Sequence, residues 1–293
     1  MVTDRVIVVS NGNTSLTLTS NPYSVKDIKG FDKLKVTNVT SQGFDQDGAS
    51  LLNSYVQPRD LEIQGSIQAR TTTQMQSLRD KLLNLFIPKT DITITHYYGG
   101  KNRVITARVE STPEMDFTAV SSIQDYTVSL TATEPYWRDV QESLVQIANV
   151  VGGLHFPLII PKNKGVTFGI KSASLIADVY NASSIRVGMK ITFIAQGHVE
   201  NPQLFDVNKR TFIKVLCSME AGEQIIITTG QDKTVTHVKN GVREDYIGHI
   251  DLAGGGSTFL ELEPGDNLYR YSAEAGEDLL ETRIYYANKY LGV

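Results

Sequence analysis

Cysteine, the residue that builds disulfides and many metal sites, is nearly missing from this chain. Cys217 is the only one among 293 residues, which excludes an intramolecular disulfide and a cysteine-rich metal site. Structural disulfides belong to oxidising compartments. We therefore expect a protein that is made in a reducing cytoplasm, or one that is indifferent to redox state.

Long apolar runs and an excess of positive charge are also missing. Nowhere do about eighteen consecutive apolar residues occur, as a membrane-spanning helix requires. Residues 1–20 alternate polar and apolar side chains without a basic region before an apolar run, so they are not predicted to be a signal peptide. The net charge of −4 argues against a surface that neutralises phosphates. We expect neither membrane insertion nor nucleic-acid readout.

Strand signals dominate what is present. Residues 61–69 and 126–132 alternate apolar and polar side chains, the period of a half-buried strand. From residue 165 onward, short apolar segments are separated by glycine-rich and asparagine-rich turns, which is typical of a sandwich or barrel. The strands predicted there are 166–170, 189–195, 212–216, 223–229, 234–238, 259–262 and 268–273.

One helix is predicted between the strands of the first half. Met75, Leu78, Leu82, Leu85 and Phe86 follow helical spacing. Threonines 71–73 offer an N-cap, and Pro88 ends the helix.

Two further segments of the first half have a recognisable turn or loop pattern. Residues 97–102, with two central glycines, predict a hairpin tip. Residues 41–58 are polar and flexible, with few apolar residues among them. This length between strands predicts either a long loop or an extended hairpin arm.

Histidine occurs five times without a metal-binding spacing. The five are His96, His155, His198, His237 and His249. None lies three or four residues from another or beside the cysteine, as helical pairs and mixed sites require. Distant strand histidines could still converge, but the sequence predicts no metal site.

Two loops begin like ligand-binding motifs. Residues 45–48 (Asp-Gln-Asp-Gly) resemble the opening of a calcium loop, but Val56 stands where the glutamate at the twelfth position belongs. A solvated turn is the favoured interpretation. Residues 254–257 (Gly-Gly-Gly-Ser) lack the lysine and the helix that a phosphate cradle needs. We predict no cofactor-binding residues.

Candidate acid–base and sugar-stacking residues also lack a supporting pattern. Glu261 and Glu263 share a strand face, as do Asp178 and Tyr180, but glycoside hydrolysis needs two opposed carboxyl groups. Aromatic residues near strand ends more often line core rims or interfaces than sugar sites. Those considered are Tyr97, Tyr98, Tyr136 and Trp137. We predict no catalytic residues and no enzymatic activity.

An ordered set of features resembles the distal tail protein family of siphophages. In the first half it comprises residues 57–67 (QPRDLEIQGSI), the helix with 87–89 (IPK), the tyrosine hairpin, 109–114 (VESTPE) and 134–137 (EPYW). In the second half it comprises 152–153 (GG), 156–158 (FPL), 201–202 (NP), 222–229 (GEQIIITT) and 262–267 (LEPGDN). Each piece is weak alone, but their order is specific. Residues 180–183 (YNAS) depart from the family, which often has a glycine–acid pair after the asparagine.

The resemblance implies a mainly β protein. Residues 1–140 would be a ring-forming β-sandwich with one α-helix and an extended arm, 141–155 a linker, and 156–293 a galectin-like β-sandwich. Six copies would close into a ring at the tip of the phage tail. The ring would join the tail-tube protein to the tail-associated tip protein, with receptor-binding or baseplate proteins at its periphery. As a structural component of the virion it would need no cofactor.

Two alternatives remain open. The second sandwich could make the chain a carbohydrate-binding protein for host adsorption, although its only tryptophan, Trp137, lies outside that sandwich. No histidine there has the His-X-Asn-X-Arg spacing of galectins, so we expect no galactoside binding, with Tyr269 or Tyr271 as possible replacement platforms. An envelope-digesting hydrolase is disfavoured by the missing acid pair.

Overall fold

The chain folds into two compact units, which we describe from a computed structural model. One unit comprises Met1–Val140 with Lys289–Val293, and the other Gln141–Asn288. The structure describes residues 5–19, 21–115, 122–147, 150–152, 169–171, 176–253 and 256–293. His155, the 156–158 motif, most of the predicted strand 166–170 and two glycines of the 254–257 loop lie outside these residues.

The first unit is built around one large antiparallel sheet. The strands of the unit are β1 (Val6–Ser10), β2 (Ser15–Leu18), β3 (Tyr23–Lys29), β4 (Val36–Ser41), β5 (Ser50–Val56), β6 (Arg59–Gln68), β7 (Asp91–Tyr98), β8 (Lys101–Val109), β9 (Glu114–Met115), β10 (Ile123–Ala132), β11 (Trp137–Asp139) and β28 (Lys289–Tyr290), and all but β4 and β5 belong to this sheet. The main order is β2-β1-β7-β8-β10-β6-β3, with β9 on β10 and β11 between β8 and β28. A bridge from Thr19 to Ser24 brings the two end strands together, so the sheet wraps around a single core.

Alternation along the central strands fills that core. In β10 every second residue is buried, including Tyr126, Val128 and Leu130, and the facing residues of β6 are Gly65, Ile63 and Leu61. Full burial of such a side chain contributes roughly 1.5–3 kcal/mol. The predicted strands 61–69 and 126–132 are confirmed.

The one α-helix among the described residues, α1 (Thr72–Leu85), covers one side of the core. The Thr71 side chain caps it by accepting a hydrogen bond from the Gln74 backbone N–H at 3.2 Å. Leu78, Leu82 and Leu85 are buried on one face, as their spacing predicted. The part of the chain that the structure describes contains no helix long and apolar enough to cross a membrane.

Arg59 ties together four distant parts of the first unit. Its side chain is almost fully buried and donates to the backbone carbonyls of Gly30 (2.9 Å), Phe31 (2.5 Å), Pro135 (2.6 Å) and Leu291 (2.5 Å). Burial lowers the pKa of Arg59, and the carbonyl dipoles solvate its charge. We call this arrangement the Arg59 clamp.

The last residues of the chain complete the clamp. In β28, Tyr290 pairs with Trp137, and the Arg103 guanidinium lies 3.9 Å from the centre of the Tyr290 ring. The Val293 backbone N–H donates to an Asp32 carboxylate oxygen at 3.0 Å. A segment about 150 residues away in sequence therefore forms part of the first core.

The second unit is a two-sheet sandwich. Its strands are β12 (Ser143–Ile147), β13 (Val150–Gly152), β14 (Gly169–Lys171), β15 (Ile176–Asn181), β16 (Val187–Gly188), β17 (Lys190–Ala195), β18 (Val199–Glu200), β19 (Gln203–Asp206), β20 (Thr211–Lys214), β21 (Ser218–Met219), β22 (Gln224–Thr228), β23 (Thr234–Lys239), β24 (Val242–Asp245), β25 (Glu261–Leu262), β26 (Gly265–Ser272) and β27 (Leu280–Tyr286). Short 3-10 turns occur at Ile247–His249 and Glu277–Leu279. One sheet has the order β12-β27-β17-β22-β23-β24 and the other β15-β26-β19-β20. The mainly β fold predicted from the sequence is confirmed.

Two buried asparagines hold the turns at one end of this sandwich. Asn181 donates to the carbonyls of Ile185 (3.0 Å) and Leu262 (3.1 Å), and its carbonyl accepts from the Ser183 N–H at 2.9 Å. Asn267 likewise accepts from the Glu263 N–H at 2.8 Å. The turn after Asn181, where the sequence departs from the family, is therefore fixed by side-chain hydrogen bonds without a glycine.

We expect Arg59→Met to destabilise the first unit by about 3 kcal/mol, because each buried carbonyl left unpaired costs about 1–3 kcal/mol. Urea denaturation followed by the fluorescence of Trp137, the only tryptophan, measures this. As a control, Arg108→Met removes only an exposed ion pair with Asp91 and should leave the midpoint nearly unchanged. An unchanged midpoint for Arg59→Met would show that the clamp is not structural.

Candidate assembly site

A solvent-exposed hairpin is the most unusual feature of the first unit. β4 and β5 pair with each other, and among the described residues neither strand joins another sheet. We call residues 36–56 the arm. Its large apolar side chains are exposed, with Leu51 at 62% and Leu52 at 66%. The others are Val36, Val39, Phe44 and Tyr55.

The register of the arm places apolar groups on both of its faces. Val36 lies opposite Val56, and Tyr55 lies opposite Thr37 on the other face. Leu52 is skipped in the register, which makes a β-bulge. Burying one face of the ribbon would therefore leave apolar side chains of the other face in water.

The sequence left the 41–58 segment open between a loop and an arm, and the structure makes it a hairpin that begins earlier, at Val36. Its apolar residues do not anchor it to its own core. Sequence reasoning missed Val36, Val39 and Phe44. The β-branched composition of residues 36–40 (Val-Thr-Asn-Val-Thr) was the signal for the first two.

The tip of the arm is an ordered turn that points Phe44 into solvent. The Gly43 N–H donates to the Gln46 side chain at 2.9 Å, and the Gln42 side chain donates to the Gln46 carbonyl at 2.9 Å. Asp45 adopts a left-handed conformation with φ of 61°. Phe44 is fully exposed. Residues 45–48, considered as a calcium loop, thus form part of a tight turn.

A cleft of about 480 Å³ lies at the foot of the arm, and we call it the foot cleft. Lys35 and Pro58, next to the two arm strands, contribute to its wall. Lys29 binds Glu62 at 2.7 Å, which lowers the pKa of Glu62, and Lys35 pairs with Asp60. Lys33 makes no hydrogen bond or ion pair with any described residue. The residues that line the cleft carry a formal net charge of +1, from the four cations Lys29, Lys33, Lys35 and Arg59 and the three anions Asp60, Glu62 and Glu110.

The described histidines are separated and engaged elsewhere. His96 is buried beside Phe31 and Trp137, and this burial lowers its pKa to about 4. His249 stacks on Tyr246 with ring centres 3.6 Å apart. Among the residues that the structure describes, no group of three or more histidine, cysteine and acidic side chains is placed to hold a metal ion.

The other two described histidines pair with glutamates. His198 lies between Glu220 (2.9 Å) and Glu200 (3.1 Å). Its hydrogen bond to Glu220, and to a smaller extent that to Glu200, raises the pKa of His198. His237 contacts the buried Glu223 at 3.1 Å. Both histidines are thus held in hydrogen-bonded pairs rather than in an open site.

The acidic residues considered for acid–base chemistry either form ion pairs or are exposed to solvent. Glu263 binds Lys209 at 2.7 Å and Arg186 at 2.9 Å, and these contacts lower its pKa. Asp178 and Tyr180 are exposed on β15.

Of the six aromatic residues considered for sugar binding, three are fully buried, and Tyr97 and Tyr136 are half-buried. Trp137 is fully buried and donates to the Phe31 carbonyl at 3.0 Å. Tyr269 and Tyr271, named as replacement sugar platforms, are fully buried in the second sandwich. A sugar ring cannot stack on them. Tyr98, by contrast, is an exposed residue at the hairpin tip.

Comparisons with known proteins point to tailed bacteriophages. A family model described as the phage tail protein RIFT-related domain matches residues 11–132, and one described as the siphovirus-type tail component, C-terminal domain, matches residues 182–290. No curated protein matches the chain.

Solved structures share the fold at low sequence identity. The SPP1 Dit protein, described as a paradigm of the hub adsorption apparatus in phages that infect Gram-positive bacteria, has a TM-score of 0.67 at 13% identity, over 97% of this chain and 99% of that chain. A chain of the phage P2 baseplate in its activated conformation with Ca has a TM-score of 0.55 at 12% identity, over 99% of each chain.

Deleting residues 45–53 should leave the first unit folded, because the removed side chains contact solvent rather than the core. We expect the free energy of unfolding, followed by Trp137 fluorescence, to change by less than about 1 kcal/mol. Leu82→Ala is the matched control for core damage and should cost about 2–5 kcal/mol. Unfolding of the deletion variant would show that the arm belongs to the core.

Proposed function

The chain belongs to the siphophage distal tail protein family, since family models match both of its halves, and from this premise we propose that six copies close into a ring in the tail. The family is a structural component of the phage tail and baseplate, which places this protein in the virion tail. The ring would join the tail tube to the tip proteins.

The arm is the observation that carries the proposal. Its two strands present apolar side chains to solvent and open edges to any neighbouring strand. Exposed edges and apolar patches are aggregation hazards unless a partner covers them. A neighbouring copy in a closed ring covers every arm in the same way and leaves none unpaired.

We assign the two parts of the chain different roles. Residues 1–140 would form the ring and contact the last ring of tail-tube protein. The second unit, Gln141–Asn288, would face outward, where receptor-binding or baseplate proteins dock. The tail-associated tip protein would bind the face of the ring opposite the tube. A net charge of −4 suits protein partners better than nucleic acid.

The proposal includes the absence of enzymatic activity and of a bound cofactor. It is supported by the structural nature of the family and by the ion pairs that occupy Glu223 and Glu263. Incubating the purified protein with host cell walls tests this point, because release of soluble fragments would show a hydrolase.

Light scattering of the purified chain measures the ring directly. We expect a particle of about 194 kDa, six times the 32.4 kDa chain, and a monomer for the variant lacking residues 45–53. Where the chain alone stays monomeric, the measurement is repeated with tail-tube protein. Monomers at every concentration, alone and with tail-tube protein, would contradict the ring.

The lectin alternative predicts sugar binding by the second sandwich. Because Tyr269 and Tyr271 are buried and Trp137 belongs to the other unit, we expect no stacking platform for galactose there. Lactose titrated into the protein should produce no saturable change in amide chemical shifts. Shifts clustered on one face of the second sandwich, with millimolar affinity or better, would restore the lectin interpretation.

A further inference from the structure

We propose that the tip of each arm, with Phe44 as its anchor, docks into the foot cleft of the next copy in the ring. The inference rests on the proposed ring and specifies its contact. The two surfaces, the tip of the arm and the foot cleft, lie at opposite ends of the arm in the first unit. Neighbouring copies would therefore contact each other head-to-tail.

The tip has the properties of an interface anchor. Phe44 is fully exposed, yet the hydrogen bonds of Gln42 and Gln46 hold the turn around it. Interface hot spots cluster in well-packed, desolvated pockets, which a large, rigid aromatic side chain can fill. Because the turn is already formed, little conformational entropy is lost when Phe44 docks.

The foot cleft fits this anchor in size and chemistry. Its volume of about 480 Å³ exceeds what one phenyl ring fills. Pro58 and the aliphatic stems of Lys29, Lys33 and Lys35 provide apolar wall. Beneath it, Arg59 is committed to the backbone carbonyls of the clamp, so its charge does not compete for a ligand.

The charges on the two surfaces are complementary. Asp45 and Asp47 follow the anchor and make no hydrogen bond or ion pair with any described residue. On the cleft, Lys33 is likewise unpaired. The acidic residue Glu110 also lines the cleft and keeps its negative charge while it accepts a hydrogen bond from Thr131, but the four cationic residues of the lining outnumber its three acidic ones. Docking would pair Lys33 with a tip carboxylate, a partner that both groups lack within one chain.

Because of the length of the arm, the tip that occupies a foot cleft must come from a second copy of the chain. Six residues of β4, at about 3.4 Å per residue, carry the tip roughly 20 Å from the foot, and the turn extends it to roughly 25–30 Å. The tip therefore cannot reach its own cleft. In a six-membered ring the spacing of neighbours equals the radius, so these contacts would lie on a circle of roughly 25–30 Å radius.

A disulfide trap tests the contact, and the chain suits it because Cys217 can be replaced. In a Cys217→Ser background, we combine Asp47→Cys at the tip with Ser129→Cys in the cleft, which leaves Phe44, Asp45 and Lys33 in place. We oxidise the assembled protein, with tail-tube protein where the ring requires it. A head-to-tail contact predicts a non-reducing ladder from dimer to hexamer. The control pair, Asp47→Cys with Lys81→Cys on the exposed face of α1, should give no ladder.

Charge reversal provides a second readout that leaves Phe44 in place. Asp45→Lys and Lys33→Glu should each weaken ring assembly at least tenfold, and the double variant should recover to within about threefold of wild type. Lys81→Glu is the matched control and should assemble normally. Trp137 fluorescence verifies that each variant is folded.

The outcomes separate this contact from the ring itself. Rings that form without a ladder, or with unchanged assembly in Asp45→Lys and Lys33→Glu, would overturn the tip contact and leave the ring intact. A trap that stops at dimers would also overturn it, because it indicates a symmetric pair. If wild-type chains never assemble, with or without tail-tube protein, the result would contradict both the proposed ring and this contact.

Discussion

An uncovered two-stranded ribbon is the constraint on which the rest of this structure depends. A two-stranded hairpin is marginally stable in water by itself, and here both of its faces carry apolar side chains such as Leu51 and Tyr55. The ribbon can act as a reproducible connector only if its foot is rigid. Its second strand leads through Pro58 directly into Arg59, the centre of the clamp. Arg59, which makes four side-chain hydrogen bonds, therefore lies directly after the end of the arm.

The clamp also explains why the end of the chain belongs to the first unit. Leu291 supplies one of the four carbonyls that Arg59 requires, and Tyr290 extends the sheet beside Trp137. The second sandwich is thus inserted between strands of the first unit, with chain connections on both sides. Such an insertion would let the second sandwich carry the proposed peripheral partners while the first unit keeps its own core.

The sequence predicted elements whose signals are local. The alternation of residues 126–132, the spacing from Leu78 to Leu85 and the two glycines at 99–100 each describe neighbours along the chain, and the structure has the elements that they indicate. The Arg59 clamp could not be found this way, because its acceptors are far apart in sequence. The sequence predicted the arm only in part. Its polar composition indicated a loop or an arm, but the pairing that begins at Val36 depends on a partner strand that periodicity does not identify.

Hydrogen exchange of the arm tests the central claim most directly. The amides of residues 36–56 should exchange rapidly in the isolated chain, since the ribbon pairs only with itself among the described residues. In assembled tails, the same amides should exchange at least a hundredfold more slowly, while the buried strand β10 should change little. Rapid exchange of the arm in assembled tails would contradict the account, because it would leave the arm uncovered in the particle that it is proposed to hold together.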